Sequence, residues 1–463
     1  MTHIIATFAA ILVILCLFYL DRDAGVRSSP ALWIPTIWML IVASRSVSAW
    51  INPNSGASLA EQYSDSSPID AAVFGLLILA GLLALNFRAQ RVRSFLRVNT
   101  PLLLFFGYCA LSVCWSDEPV VSLKRWVKSV GDFIMVMIVL TDLNPQAATK
   151  RLFTRIAYIL LPLSVLLIGF YPEIGTAYNA SEHMMLYVGV TTFKNLLGLT
   201  CMVCGLGSLW CFIRTCIDRT LPYRSRHLIA HGTMILTAVG LIVRADSMTS
   251  LSCLVLGGAV MILCAQRRIA RRPAYLHSLI ALCILLPFSA LFVSTMGSLV
   301  HTLGRNSTLT GRTSIWAAVL AVHINPVVGA GFESFWLGSR LQEVWDRSIQ
   351  GIQEAHDGYL ELYLNLGWIG LMLLGTLIVT GYRHANSVFR VNPEAGSLRL
   401  SLFAAGIIYS FTEAGFRMMS PIWIAFLLAI TAVPSALLKE QRQREQESTY
   451  SGFAPQSRVR ILQ

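Results

Sequence analysis

The segment Glu354-Ala355-His356-Asp357-Gly358-Tyr359-Leu360-Glu361 sets a histidine among acids, immediately ahead of a long apolar run. Imidazole is the side chain whose charge changes near neutral pH, so a histidine beside carboxylates can take up and release a proton. At the mouth of a membrane bundle such a group suits chemistry on a lipid-carried substrate, since ionisable groups in apolar surroundings are kept mainly for function. The competing role is structural: a helix N-terminal histidine bonded to backbone. Glu354 and Asp357 are the candidates to orient His356. Two arginines could hold an anion beside it. Arg244 lies in Val243-Arg-Ala-Asp-Ser-Met-Thr-Ser250, a hairpin too tight to need a charge for solubility. From the residues alone it is either a functional cation or a bland one, paired with Asp246 or snorkelling to the headgroups. Arg312 follows Leu309-Thr-Gly311 and opens an amphipathic helix around Trp316.

The elements that must position these residues are transmembrane helices. Of 463 residues, 55% are hydrophobic and 13% charged, and the mean hydropathy is +0.63, well outside the range of soluble domains. A bilayer crossing takes roughly 17–25 apolar residues. Candidate runs lie near 4–20, 31–43, 71–85, 101–113, 130–141, 156–170, 196–213, 229–243, 249–264, 276–293, 359–380, 402–412 and 422–437. The expected fold is an all-α polytopic bundle of 12–13 helices, one integral membrane domain over 1–463, with one long outer loop, 294–358, between the tenth and eleventh helices. The first run has no basic n-region or cleavage site and is expected to stay as a helix. All ten cysteines lie in or beside apolar spans, and Cys201 and Cys204 share a helical i, i+3 spacing, so they are expected to pack and to bind no metal.

Basic loops give orientation, because short cytoplasmic loops carry the excess of Lys and Arg. The arginine and lysine clusters at 88–97, 150–155, 214–226, 267–272 and 383–399, the short loop with Arg22 and Arg27, and the C-terminal tail are therefore expected inside. The net charge of +12 is mostly this topology signal and does not call for nucleic acid. Eleven cations remain for the outer side: Arg45, Lys124, Arg125, Lys128, Lys194, Arg244, Arg305, Arg312, Arg340, Arg347 and Arg417. Each either lies in a long translocated loop or has a purpose.

A connection as long as 294–358 is usually functional. Asn325-Pro326 ends its first helix, and Gly329-Ala-Gly331 is expected to be a turn, being too short for a nucleotide fingerprint. Asp21-Arg-Asp23 has the carboxylate spacing of a metal-dependent transferase, but falls on the cytoplasmic side, where it is expected to be solvated surface. Glu413 and Arg417 are spaced as an i, i+4 helix pair, with a second acid near the site as the other option. Trp50, Trp115, Trp336 and Trp345 could stack on sugar faces or serve as belt residues.

The run from Gly311-Arg312 through Asn325-Pro326, Gly329-Ala-Gly331 and Glu354-Ala-His356-Asp-Gly-Tyr359-Leu to Gly367-Trp-Ile-Gly370 resembles the signature region of the O-antigen ligase and polysaccharide polymerase superfamily. Ser29-Pro30-Ala-Leu-Trp33-Ile-Pro35, Ser44-Arg45-Ser-Val-Ser48-Ala-Trp50, Trp115-Ser116-Asp117, Lys124-Arg125, Lys194-Asn195-Leu-Leu-Gly198 and Thr412-Glu413-Ala are similar to its exopolysaccharide-polymerase branch, the kind that builds succinoglycan. The resemblance implies an inner-membrane glycosyltransferase working at the periplasmic face. Its donor would be a glycan on undecaprenyl diphosphate. Its acceptor would be a second lipid-linked repeat unit or, for a ligase, lipid A core. Arg244 and Arg312 match the family's diphosphate-binding arginines and His356 its proposed base; Glu354, Asp357, Lys194, Arg125 and Glu413 are supporting candidates. Phe193 stands where the family has histidine or asparagine, so no role is carried to it. No metal or cofactor is expected. Partners would be the bilayer, the lipid-linked donor and acceptor, chain-length regulators and export proteins.

The chemistry agrees with those roles. A departing diphosphate is best held by planar guanidinium forks that bond two oxygens at once, and a neutral imidazole taking the acceptor's proton contributes roughly 10²–10⁴-fold. Displacement would invert the anomeric centre. A transporter or flippase of the same lipid-linked unit is the reading from another class; it requires charges and broken helices at mid-membrane and an internal repeat.

Overall fold

The computed structural model describes residues 2–22, 29–52, 67–179, 184–266, 312–347 and 351–434, with isolated positions from 274 to 282. Most of the Arg267–Arg272 connection and the 276–293 run, Asp23, Arg27, Arg305 and the tail from 435 lie outside the described residues.

The apolar runs fold into helices whose starts are written in the chain. Proline occupies the first turn of Pro68–Asn86, Pro119–Leu140, Pro145–Phe170, Pro393–Tyr409 and Pro421–Ile430, where its missing N–H costs nothing. Asn144 and Asn392 cap their helices by accepting from the amides of Ala147 (3.0 Å) and Ala395 (3.1 Å). Six helices among the described residues are long and apolar enough to cross a membrane: Thr2–Leu20, Pro68–Asn86, Pro145–Phe170, Lys194–Ile217, Arg224–Arg244 and Gly358–Val391. Ala89–Val98 and Thr100–Trp115, bent by 87°, form a seventh if counted as one span. Shorter apolar helices are Pro30–Val42, Met248–Cys264 and Pro421–Ile430. Thr176–Asn179 and Met184–Tyr187 pair as an antiparallel hairpin. Cys201 and Cys204 are buried inside their helix, as packing residues.

The helix ends gather at two poles. At one, Arg88 pairs with Asp142 (3.1 Å), Arg214 with Glu394 (3.1 Å), and Asn99 exchanges hydrogen bonds with Ala432 (3.0 and 2.8 Å). Lipid tails solvate apolar side chains as well as neighbouring helices do, so such polar ties and close approaches hold a bundle together. The other pole carries the segments 312–358 and 410–420.

The described parts of the 312–358 stretch, 312–347 and 351–358, are a built structure. Helices Arg312–Ala321 and Gly338–Arg347 cover a small second core of Ile315, Val319, Val322, Phe335, Trp336, Val344 and Leu364. It is locked to the membrane helix below by a break. Gly367 takes φ +62° within Gly358–Val391, so the helix opens there. The carbonyls of Leu364 and Asn365 accept from the amides of Ala330 (3.0 Å) and Gly331 (2.8 Å), and the amides of Trp368 and Ile369 donate to Pro326 (2.9 Å) and Val327 (3.2 Å). Gly329 and Gly331, at φ +71° and +101°, make the expected turn. A Cβ on Gly367 would meet the Val327 carbonyl at 2.3 Å, so backbone passes backbone here only because glycine has no side chain.

Candidate active site

His356 lies in the turn that delivers the chain into the Gly358–Val391 helix. Asp357 is the cap of that helix and accepts from the amides of Tyr359 and Leu360, both at 2.9 Å. That capping bond fixes Asp357 away from the histidine, so of the two expected orienting acids only Glu354 does the orienting. His356 Nδ1 is 3.0 Å from Glu354 Oε1 and 3.3 Å from Glu413 Oε2. With Nδ1 anchored between carboxylates, the lone pair of the neutral ring would be on Nε2, the arrangement of a histidine base in hydrolytic triads.

Glu413 is the hub. Its Oε1 accepts from Arg312 Nη2 at 2.9 Å and from Asn195 Nδ2 at 3.4 Å. It sits in the non-helical segment between Pro393–Tyr409 and Pro421–Ile430, so the expected i, i+4 pairing with Arg417 does not form. The Gly415 and Gly358 neighbourhood tightens that segment into turns. Arg417 instead donates Nε to Glu333 Oε2 (3.0 Å) and brings Nη1 within 3.9 Å of Glu354 Oε2. Two ties hold the segment: the Gly358 amide donates to the Ser410 carbonyl (2.7 Å), and the Met419 amide to Asp132 Oδ2 (2.9 Å). Arg125 is buried and donates to the backbone carbonyl of Glu333, supporting the next layer out.

The electrostatics follow from this geometry. Burial alone would lower the pKa of His356, but the hydrogen bonds and charges of Glu354 and Glu413 outweigh it and raise it to about 10. The roughly 6–7 of an unburied imidazole therefore does not apply, and the two carboxylates favour the protonated ring. Glu354 is held below its ordinary value: burial would raise it, and His356, Arg417 and Arg312 outweigh that. Burial raises Asp357, against the two amides it caps. His356, Glu333 and Asp246 each stand at φ +50°, a conformation costly for side-chain-bearing residues and one that clusters at functional sites.

Arg244 lies one layer out. It is exposed at the end of its helix, where it rests on the Tyr187 ring (5.2 Å to the centroid) and donates to the Tyr187 hydroxyl at 3.2 Å. The bland pairing with Asp246 is not formed, because Asp246 faces Lys194 at 3.6 Å. Lys194 thus connects the Arg244 hairpin to the helix whose next residue, Asn195, bonds Glu413. Of the four tryptophans, Trp336 is buried and donates to Glu361 (2.8 Å), and Trp345 donates to the Ile352 carbonyl (2.7 Å); both are internal posts. Trp50 carries Arg45 on its face at 5.6 Å. Trp115 packs beside Tyr108.

A cavity of about 180 Å³ opens beside the cluster, with Glu354, Glu413 and Arg417 on one wall and Ser44, Arg45, Asp70, Lys128 and Asn195 on others. Phe193 is among its apolar lining. Glu354, His356 and Glu413 bring three ligand atoms within 4.8 Å of one another, close enough to hold a cation. Arg312 and Arg417 already lie on both carboxylates, so the donor set is neutralised from within the chain.

Asp21 corrects the sequence reading. It is no solvated surface residue: it is inserted between His227 (2.8 Å) and His231 (3.2 Å) at the opposite pole. Arg417 is among the outer cations that the charge pattern leaves unexplained, and its spacing from Glu413 points to the wrong partner. Glu333 had none, because nothing local marks a residue brought in by the fold.

Residues 232–375 match the O-antigen ligase family. That stretch includes Arg244, Arg312 and His356 and stops short of Glu413 and Arg417. The chain is also 26% identical over 290 residues to the exopolysaccharide production protein ExoQ of Rhizobium meliloti (strain 1021), covering 60% of this chain and 63% of that protein. The chain is similar to the O-antigen ligase and polysaccharide polymerase superfamily, on its ExoQ-like side.

Proposed function

We propose that this protein is a metal-independent, inverting glycosyltransferase of the bacterial inner membrane, which polymerises undecaprenyl-diphosphate-linked repeat units into exopolysaccharide at the periplasmic face. The observation that carries the reading is the position of His356 Nδ1 between Glu354 and Glu413, with Arg312 on the second of those carboxylates.

In the proposed reaction the donor diphosphate takes Arg312 from Glu413, with Arg244 as the second guanidinium approaching from its hairpin. Both can present two N–H groups to phosphate oxygens, and the charge developing on the leaving group is met without reorganising solvent. The acceptor sugar occupies the cavity along Ser44, Asp70 and Asn195, whose hydroxyl, carboxylate and amide groups suit sugar hydroxyls. Its hydroxyl oxygen attacks the anomeric carbon from the side opposite the diphosphate. The new C–O bond forms as the C–O bond to phosphate breaks, the diphosphate departs with the electron pair, and the hydroxyl proton passes to Nε2 of His356 in its neutral form, the minor form near neutral pH. Glu354 and Glu413 stabilise the imidazolium so formed.

Transfer to lipid A core is the second reading, favoured by the family description over 232–375; the exopolysaccharide name of the relative favours polymerisation. A transporter would require its charges at mid-membrane, whereas the His356 cluster is built from helix ends and the turns between them. Purified protein in vesicles with lipid-linked repeat units as the sole substrate tests the choice. A ladder of lengthening glycans is expected. Product formed only when lipid A core is added would favour the ligase, and neither product would contradict both. Sidedness is read separately by labelling a cysteine at position 343 on a cysteine-free background: labelling in cells with a permeabilised outer membrane alone is expected, and a need to permeabilise the inner membrane would contradict a periplasmic site.

A further inference from the structure

The pole opposite His356 carries a second histidine and carboxylate cluster, which the proposed reaction does not use. Asp21, just past the end of Thr2–Leu20, points its Oδ1 at three bases: His227 Nδ1 at 2.8 Å, His231 Nε2 at 3.2 Å and Lys150 Nζ at 3.3 Å. His227 and His231 lie one turn apart on one face of Arg224–Arg244, a spacing that presents two imidazoles to one point. The three ligand atoms, one each from Asp21, His227 and His231, fall within 4.8 Å of one another. Donors around a tetrahedral zinc-like ion at about 2.0–2.1 Å stand roughly 3.3 Å apart, so the observed spacings need only small adjustments.

Two further features point to a ligand. His231 is fully buried, and its Nε2 has no hydrogen-bond partner despite its nearness to Asp21: the distance is short and the direction is wrong for a bond. Its other nitrogen, Nδ1, lies 3.4 Å from the Tyr158 hydroxyl, in the position of the outer partner that orients a metal-bound imidazole. Lys150 is the competing cation. Its ammonium balances Asp21, and it is long and flexible enough to leave.

We propose that Asp21, His227 and His231 form a site for a divalent transition-metal ion of the zinc type, for which Lys150 substitutes when no metal is bound. The ion would act as a clasp on the first helix. Of that helix Ala6 and Leu17 are buried, Phe18 meets the Tyr158 ring edge-on, and Thr7 bonds Tyr171 (2.8 Å) at the other end. A metal at Asp21 would add to these contacts a joint to Pro145–Phe170 through the Tyr158 shell and to Arg224–Arg244 through the histidines.

The test uses full-length protein in nanodiscs, stripped with a chelator and titrated with Zn²⁺ or Co²⁺. About one ion per chain is expected, with the intense visible absorption of a low-symmetry Co²⁺ site. His227→Gln and His231→Gln should abolish it while eluting and melting as folded protein. Tyr158→Phe should weaken binding about tenfold, as loss of an outer partner does, and Lys150→Met should tighten it. No stoichiometric binding in wild type, binding unchanged in both glutamine variants, or weaker binding in Lys150→Met would overturn the proposal. Metal content is read independently of glycan synthesis, so this site and the polymerase reading stand or fall separately.

Discussion

Both poles of the bundle bury histidine against carboxylate, with the ratio inverted. At the His356 pole one histidine faces two glutamates, and each glutamate is also approached by an arginine. At the Asp21 pole one aspartate faces two histidines and a lysine. The first arrangement stores a proton on the ring, because two negative charges favour imidazolium. The second stores negative charge on the carboxylate: burial would raise Asp21, but the hydrogen bond of His227 and the nearby His231 and Lys150 hold it well below the carboxylate range. The backbone differs as well. His356 and Glu333 are held left-handed in turns, whereas His227 and His231 are regular helix. One pole has exchangeable pairs on strained turns, suited to a substrate that displaces them. The other is a joint between helices.

The comparison breaks most completely if the His356 pole loses its platform. Gly367→Ala places a methyl against the Val327 carbonyl at a left-handed position, so the 312–358 segment should detach from its helix. Polymer should vanish, and protease should cut the segment while the Asp21 pole stays intact; a folded, active variant would remove the platform from the account.

Next come the anion-holding forks. Arg312→Lys keeps the charge and loses the second N–H, which for hydrogen bonds to charged groups costs roughly 1.5–3 kcal/mol, or about 10–150-fold in rate. Arg244→Lys should cost less, because Arg244 is exposed and one layer out, and the double variant should be near inactive. Initial rates of chain growth with a fixed donor concentration measure this. Equal rates for the double variant and wild type would rule out diphosphate binding by either.

A smaller effect, but a diagnostic one, concerns pH. If neutral His356 is the base, kcat/KM should rise with pH through neutrality toward the free enzyme's raised value of about 10. Glu413→Gln removes one of the two charges that raise it, so the rising limb should move to lower pH even as the maximum falls. A limb unmoved by this substitution would mean that another group titrates.

The smallest expected effect is at the Asp21 pole. Asp21→Asn removes the charge that Lys150 and both histidines face, and loss of a buried charged hydrogen-bond acceptor costs about 1–3 kcal/mol of stability. Melting should come earlier, with little change in the chain-growth rate of protein that remains folded. A large loss of rate at full stability would couple the two poles in a way the structure does not describe.

How much of this was legible in the sequence depends on whether the signal is local. Membrane helices come from run length and hydropathy, and the Gly329 and Gly331 turn from residue type, so both could be read. His356 and Arg312 stood out because a charge beside an apolar run needs a reason. Their partners could not be read: Glu413 and Arg417 share a helical spacing, but two glycines, Gly358 and Gly415, lie against Ser410 at this corner, and the chain turns there without a helix. Glu333 meets Arg417 across more than eighty residues of sequence, a contact only tertiary structure creates. Asp21 looked solvated because it follows a helix and neighbours an arginine; its two histidines arrive from another helix.

The central claim is that His356 takes the acceptor's proton, and His356→Asn tests it most directly. Asparagine keeps a hydrogen-bonding group of similar reach and has no proton affinity near neutral pH. In vesicles supplied with lipid-linked repeat units, the variant should insert, melt and retain donor as wild type does, while chain growth falls by roughly 10²–10⁴-fold and unpolymerised repeats accumulate. Substantial chain growth by His356→Asn would show that the base lies elsewhere.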